Sequence, residues 1–239
     1  MKRGPSMLCV AAAVAACAGC SRPPLGEICP DLGEGDLVIT EIRGPQTGGD
    51  NRGQWIEVFN ASDEAVDLRG LRLEFYDLQG KQPAPGRPMI VRTEEVLVEP
   101  GGYVTFGHHE PDRVPEFIDY SFITDYFTVP SLDSEEVETL LELGLEPEDF
   151  EDRAAKDLVS AGRIDLVACG ELIDRVRYES LPSAGTLSLD GRLDPSAEDN
   201  DDAANFCIDD AEEDLEPGAP QLYIGLPGTP QEENRPCED

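Results

Sequence analysis

The amino-acid sequence predicts an all-β protein that carries one short helical insertion. Short segments of alternating or β-branched apolar residues recur along the chain, and clusters of Gly, Pro, Asn and Asp separate them. Many short strands divided by turn signals are typical of a β-sandwich or barrel. The segment from about residue 125 to 160 departs from this pattern, because its apolar residues recur at helical spacing.

The strand signals differ in kind along the chain. Residues 37–42 (LVITEI) are β-branched and almost continuously apolar, whereas residues 54–60 (QWIEVFN) alternate, with Ile56 and Val58 on one face. The predicted strands comprise residues 37–42, 54–60, 66–75, 96–98, 103–106, 163–168, 171–178 and 186–189.

One turn signal stands out. Pro100 is followed by Gly101 and Gly102, which supply the restricted and positive φ values that a tight turn requires. We therefore expect a hairpin between residues 96–98 and 103–106.

The helical insertion has a capping residue and an apolar stripe. Ser134 can cap a first helix, and Pro147 starts a second. The stripe of the first helix consists of Val137, Leu140, Leu141 and Leu143. Such a stripe either packs on its own sheet or docks a partner.

The N-terminus has the features of a signal peptide. Lys2 and Arg3 precede an apolar run over residues 7–18, and the chain turns polar directly after Cys20. The run has about 12 residues, which is too short for the roughly 20 that a permanent membrane helix needs.

The four residues 17–20 (CAGC) resemble the lipobox of bacterial lipoproteins. The resemblance implies that Cys20 is lipidated and becomes the new N-terminus, and Ser21, which is not Asp, favours the outer membrane. Cys17 departs from the usual Leu, so an ordinary secretory signal cut near Ala18 is the alternative.

Removal of the signal with Cys9 and Cys17, and lipidation of Cys20, leave four cysteines to pair in an oxidising compartment. They are Cys29, Cys169, Cys207 and Cys237. Two disulfides with three possible connectivities are expected, of which we prefer Cys169–Cys207 with Cys29–Cys237. No CxxC pair is present, which disfavours a zinc ribbon or a thioredoxin-like site.

The net charge excludes some partners. Asp plus Glu number 51 against 18 for Lys plus Arg, a formal charge of -33. No basic stripe is visible, so nucleic acid is not an expected partner and any membrane contact should come from the N-terminal lipid. A protein or a surface polymer is the expected partner.

Several segments together resemble the lamin-tail domain. They are LVITEI, QWIEVFNASDEAVDLRGLRLEF, VLVEPGGYVTFG and GLPGTPQEEN, within residues 36–124 and 161–234. The resemblance implies an immunoglobulin-like sandwich that serves as a binding or scaffolding module. Gln54 and Leu71 depart from the Glu and Trp that are common in the family. The predicted organisation is a signal peptide (1–19), a lipidated N-terminus and tether (20–35), the sandwich with its insertion (36–234) and a C-terminal tail (235–239).

Two clusters could hold a metal. The loop over residues 194–205 is dense in hard oxygen ligands, and its weak calcium candidates are Asp194, Asp199, Asp201 and Asp202. The alternative is a loop of Asx-turns whose side chains accept from their own backbone. The second cluster consists of His108, His109, Glu110 and Asp112 and suits a transition metal, although adjacent side chains of an extended segment point to opposite faces.

The expected function is a non-enzymatic, envelope-anchored binding or scaffolding module. Its affinity would come from loops at one end of the sandwich or from the insertion. The sequence contains no GxSxG elbow. The alternative is a calcium-dependent accessory domain or hydrolase with its site in the loop over residues 194–205, and calcium is the one cofactor that the sequence suggests.

Overall fold

A computed structural model describes residues 28–47, 53–78, 87–91, 95–107, 109, 114–121, 162–210 and 228–238 of the 239-residue chain. The predicted signal peptide, Cys20 and the predicted helical insertion lie outside these residues. The described residues form twelve strands. They are β1 (Leu37–Arg43), β2 (Trp55–Asn60), β3 (Val66–Asp67), β4 (Arg72–Asp77), β5 (Arg87–Ile90), β6 (Leu97–Val98), β7 (Tyr103–Gly107), β8 (Tyr120–Ser121), β9 (Gly162–Ala168), β10 (Glu171–Tyr178), β11 (Thr186–Leu189) and β12 (Phe206–Asp209).

The strands form two main sheets and one ribbon. Six strands make the larger sheet, in the order β12-β11-β1-β2-β7-β8, and four make the smaller one, in the order β10-β9-β4-β5. Strands β3 and β6 form a separate two-stranded ribbon. Neighbouring strands are antiparallel except β7 and β8, which are parallel.

The two main sheets share one apolar core. Each contributes side chains from alternate strand positions, as the period of two in a strand requires. The fully buried members include Ile39, Ile42, Val58 and Phe106 from the larger sheet and Leu73, Ile164, Leu166 and Val176 from the smaller one. The predicted all-β sandwich is confirmed.

The observed strands differ from the predicted ones in two places. The predicted strand 66–75 is two strands, β3 and β4, because Gly70 takes a φ of 95° between them. The predicted turn is present, since Gly102 N–H donates to the carbonyl of Glu99 at 2.9 Å. The predicted hairpin is wrong, because β6 pairs with β3 and β7 pairs with β2. The chain crosses between sheets at this turn.

Strand β1 contains a bulge at Thr40. Ile39 is opposite Val58, and the next pair in the ladder is Glu41 with Glu57, so two residues of β1 face one of β2. The extra residue lets Ile39 and Ile42, three positions apart, both face the core. Glu41 consequently lies on the outer face of the larger sheet, beside Glu57.

The two expected disulfides are present, but the preferred pairing is wrong. The bonds are Cys29–Cys169 and Cys207–Cys237, with Cα atoms 5.5 and 5.8 Å apart. Cys169 lies in the turn between β9 and β10, in the smaller sheet, whereas Cys207 lies on β12 of the larger sheet. The N-terminal Cys29 is therefore bonded to the smaller sheet, and the C-terminal Cys237 to the larger sheet. The two bonds indicate an oxidising, exported environment.

We expect peptide mapping of the unreduced protein to recover Cys29 with Cys169 and Cys207 with Cys237. The double variant Cys29→Ser plus Cys169→Ser should lower the free energy of unfolding in urea by about 5 kcal/mol, because that bond closes a loop of 140 residues. As the control, Cys207→Ser plus Cys237→Ser should cost about 4 kcal/mol, since its loop has 30 residues. Recovery of a Cys169–Cys207 peptide would contradict this connectivity.

Candidate functional site

The acidic segment over residues 194–205 forms two capped helical turns. Helix α1 (Ala197–Asn200) begins after Ser196, whose Oγ accepts from the Asp199 N–H at 3.1 Å. A 3-10 turn (Ala203–Asn205) follows, and the Asp202 carboxylate accepts from the Ala204 N–H at 2.9 Å. Side chains of this segment thus accept hydrogen bonds from backbone N–H groups of the same segment, as the Asx-turn alternative predicts.

Asn200 connects this segment to both sheets. Its buried Nδ2 donates to the Ile39 carbonyl at 3.1 Å and to the Asp174 carboxylate at 2.7 Å. The same Asp174 oxygen accepts from the Ile39 N–H at 2.7 Å. The bonds join the edge strand β10 to β1, and burial raises the pKa of Asp174 to about 6.

The structure does not bring the four calcium candidates together as a ligand set. Asp194 is exposed, and Asp199 accepts from the Ser196 hydroxyl at 2.7 Å. Asp201 ends helix α1, and Asp202 caps the start of the 3-10 turn. Within the residues that the structure describes, no three His, Cys, Asp or Glu side chains are grouped so that they could hold a metal ion. Calcium binding by this loop stays a prediction.

Of the histidine cluster, only His109 is described. His109 is buried. Its backbone N–H donates to the Ser121 hydroxyl at 3.1 Å, and its backbone carbonyl accepts from that hydroxyl at 2.6 Å. His108, Glu110 and Asp112 lie outside the described residues. No helix in the described ranges is long and apolar enough to cross a membrane.

Two glutamates form a buried carboxylate pair on the outer face of the larger sheet. Glu41 on β1 and Glu57 on β2 are directly opposite in the strand ladder, and both side chains are 0% exposed. Their neighbours across the sheet are the buried Ser188 on β11 and Thr105 on β7. The four residues make one polar row across four strands.

The C-terminal residues cover this row. Residues 228–238, here called the C-terminal strap, place two backbone N–H groups on the carboxylates. The N–H of Thr229 donates to Glu41 Oε2 at 3.1 Å, and that of Gln231 donates to Glu57 Oε2 at 2.7 Å. The sheet supplies the other donors, because Thr186 Oγ1 donates to Glu41 and Thr40 Oγ1 to Glu57. Every carboxylate oxygen of the pair therefore accepts a hydrogen bond.

Further contacts hold the strap against the sheet. Asn234 Nδ2 donates to the carbonyls of Thr40 and Leu189 at 3.0 and 2.9 Å. Gly228 has a φ of 97°, and a Cβ there would lie 2.7 Å from Glu41 Oε1, so only glycine allows this close approach. Cys237 bonds covalently to β12.

Burial controls the protonation of the pair. Loss of solvation raises the pKa of Glu41 to about 7, against the lowering effect of its hydrogen bonds from Thr186 and Thr229. Burial and the neighbouring Glu41 charge also raise the pKa of Glu57 well above its ordinary value. Both carboxyls are therefore harder to ionise than exposed glutamates, and the charge of either one opposes ionisation of the other.

The outer face of the smaller sheet has a different character. Alternate residues of β4, β9 and β10 point away from the core and carry guanidinium groups. We call this surface the arginine face. It comprises Arg72, Arg163, Arg175 and Arg177, with Glu74, Tyr76 and Asp165 among them.

The arginine face is basic in a strongly acidic chain. Nine arginines and no lysine lie in the described part of the chain, and four of the arginines are on this face. Asp165, which is only 4% exposed, accepts from Arg175 at 2.8 and 2.7 Å and pairs with Arg163 at 3.0 Å. Arg163 is directly opposite Arg177, a like-charge pairing that destabilises a sheet. Arg72 also pairs with Glu74, at 3.3 Å, so three of the four guanidinium groups on this face have a carboxylate partner.

Comparison with protein-family models, with curated proteins and with solved structures finds no match to this chain.

Neither surface carries a motif that identifies it in the sequence. The carboxylate pair left one signal, since Glu41 and Glu57 each interrupt a strand that is otherwise apolar on both sides. A charged residue at such a position is buried and needs a dedicated partner. The arginine face left none, because its members are adjacent only after β4, β9 and β10 are placed in register.

We expect the protein to be more stable at pH 5 than at pH 8. A group whose pKa is raised in the folded state contributes stability that is present at low pH and is lost as the pH rises through that pKa. Glu41, with a pKa of about 7, and Asp174, with about 6, both lose their contribution in this window. Together they should lower the free energy of unfolding by on the order of 4 kcal/mol between pH 5 and pH 8.

Urea unfolding at the two pH values measures this difference. The variant Asp174→Asn keeps an acceptor for Ile39 but does not ionise, so its stability should fall less between pH 5 and pH 8 than that of the unchanged protein. Equal or greater stability at pH 8 in the unchanged protein would contradict the raised pKa values of Glu41 and Asp174.

Proposed function

We propose that this chain is an exported, lipid-anchored, non-enzymatic binding module at the cell envelope, with an immunoglobulin-like sandwich of the lamin-tail type. The two disulfides support export. The charged start, the short apolar run and Cys20 support cleavage and lipidation, and Ser21 supports the outer membrane. Two segments that resemble the lamin-tail domain meet, since Asn60 N–H donates to Gly102 O and Gly101 N–H to Asn60 O, both at 2.9 Å.

The Cys29–Cys169 bond would keep one end of the sandwich near a lipid on Cys20. Eight residues lie between Cys20 and Cys29, and the nine residue steps from one cysteine to the other span at most roughly 30 Å. The turn between β9 and β10 therefore stays within that distance of the anchor. Both neighbouring strands belong to the smaller sheet, so this anchor would hold the sheet that carries the arginine face on the membrane side of the sandwich.

The arginine face is the observation that carries the binding proposal. Arg72 is 40% exposed, Arg175 is 31% exposed, and Arg177 lies exposed at the end of β10. Arg163 is held with its guanidinium carbon 3.7 Å from the centre of the Tyr76 ring, which fixes its orientation. Oriented guanidinium groups bind carboxylate and phosphate in a bidentate manner.

The ligand class follows from the shape and charge of this face. A sheet surface is flat and repetitive, with neighbouring strands about 4.8 Å apart. It fits an extended polymer that carries an anionic group on successive units better than it fits a small molecule, which needs a concave site. We therefore propose a carboxylated surface polysaccharide as the ligand.

Retention on immobilised polygalacturonate tests this proposal. The double variant Arg72→Ala plus Arg177→Ala removes two exposed cations that hold no buried carboxylate, and should weaken binding by about tenfold, equivalent to roughly 1.4 kcal/mol. The matched control is Arg192→Ala, which removes one exposed cation from outside the face. Binding should also weaken as salt rises. If the double variant and the control bind alike, this face is not the binding surface.

Membrane attachment is tested separately from binding. In bacterial cells supplied with radiolabelled palmitate, the unchanged protein should take up label and sediment with the outer membrane. The variant Cys20→Ala should take up none and should be released or retained as an uncleaved precursor. Membrane attachment of Cys20→Ala without label, with the signal removed, would contradict lipid anchoring.

A further inference from the structure

The C-terminal strap covers two acidic groups that repel each other when both are charged. Glu41 and Glu57 are opposite one another in adjacent strands and exclude all solvent. In so little water their repulsion is far stronger than between exposed charges. The strap donates one backbone N–H to each carboxylate. Glu41 and Glu57 are therefore both the titrating groups and the hydrogen-bond acceptors that hold the strap.

The other charged groups around the pair have partners of their own. Asp209 on β12 is acidic and is paired with Arg235 of the strap at 2.9 Å, and Asp119 accepts from Gln231 Nε2 at 2.8 Å. Arg43, two residues beyond Glu41 on β1, donates from Nε to the Gly53 carbonyl at 3.3 Å. Tyr103 on β7 stays neutral, because burial and the nearby Glu57 and Glu233 raise its pKa to about 12.

We propose that the C-terminal strap is a protonation-controlled cover, closed while the Glu41–Glu57 pair holds a proton and released when both carboxylates ionise. On release the proton passes to solvent, and the two carboxylates and the polar row become hydrated. The part that moves is the segment before Arg235, since the Cys207–Cys237 bond retains the distal end. Acidification closes the strap and alkalinity opens it.

The magnitude follows from linkage between protonation and opening. Each group whose pKa is raised in the closed state, and falls when the strap opens and water enters, multiplies the open population by at most about ten per pH unit. Glu41, with a pKa of about 7 in the closed state, acts in the range below pH 7, and Glu57 adds to this effect in the same direction.

Amide hydrogen exchange of the full chain with intact disulfides, between pH 5.5 and 8.5, tests the proposal. The reporters are the amides of Thr229 and Gln231, with intrinsic exchange rates corrected for pH, and core amides of β9 report global unfolding. We expect the strap amides to be less protected than the core amides at every pH, and their protection to fall by at least tenfold between pH 5.5 and 7.

Two results would overturn the proposal. Strap and core amides with equal protection at every pH would mean that the pair is exposed only when the whole sandwich unfolds. Low strap protection that does not change with pH would mean that the strap opens independently of the carboxylates. The unchanged protein alone therefore decides the question, even if a variant fails to fold.

Variants then assign the effect to the pair. The double variant Glu41→Gln plus Glu57→Gln keeps the shape and removes the titration, so the strap protection should become independent of pH. The matched control is Asp190→Asn, because Asp190 also accepts from the strap, at the Cys237 N–H, at 3.1 Å. A hydrogen bond from Arg192 lowers the pKa of Asp190, so Asp190 stays ionised throughout the range. In its variant the strap protection should therefore still fall as the pH rises. A slope that persists in the double variant contradicts the assignment.

Discussion

Strand β1 is buried on both of its faces, and the surrounding structure is arranged around that constraint. All seven of its residues are buried, although Thr40, Glu41 and Arg43 are polar. A buried polar group must find a partner within the protein, because the loss of water costs a few kcal/mol otherwise. The strand therefore requires donors and acceptors from outside its own sheet.

Two asparagines from distant parts of the chain meet this requirement. Asn200 donates to the carbonyl of Ile39, and Asn234 donates to the next carbonyl, that of Thr40. These are the carbonyls around the bulge, where the ladder with the neighbouring strand is interrupted. The helical turn at Ala197–Asn200 and the C-terminal strap are thus both ordered by one irregularity in β1, and each satisfies it from a different side.

The sequence predicted the fold class because alternation survives in the strands that build the core. Strands β2, β9 and β10 were predicted nearly to the residue, since one face of each is apolar. Strand β12 was missed, because its sequence FCID does not alternate strongly. Disulfide connectivity and the arginine face depend on which strands become neighbours, which no local pattern records. The carboxylate pair left only the local signal of a glutamate within an apolar strand, which is easily overlooked among 51 acidic residues.

The Cys207–Cys237 bond makes the strap an intramolecular ligand of its own sheet. A segment tethered next to its binding surface acts at an effective concentration in the millimolar range. Reclosure is therefore first-order and independent of how much protein is present. Any outside molecule that binds the exposed polar row must displace the strap. It can do so only if it binds tightly enough to overcome the high local concentration of the strap.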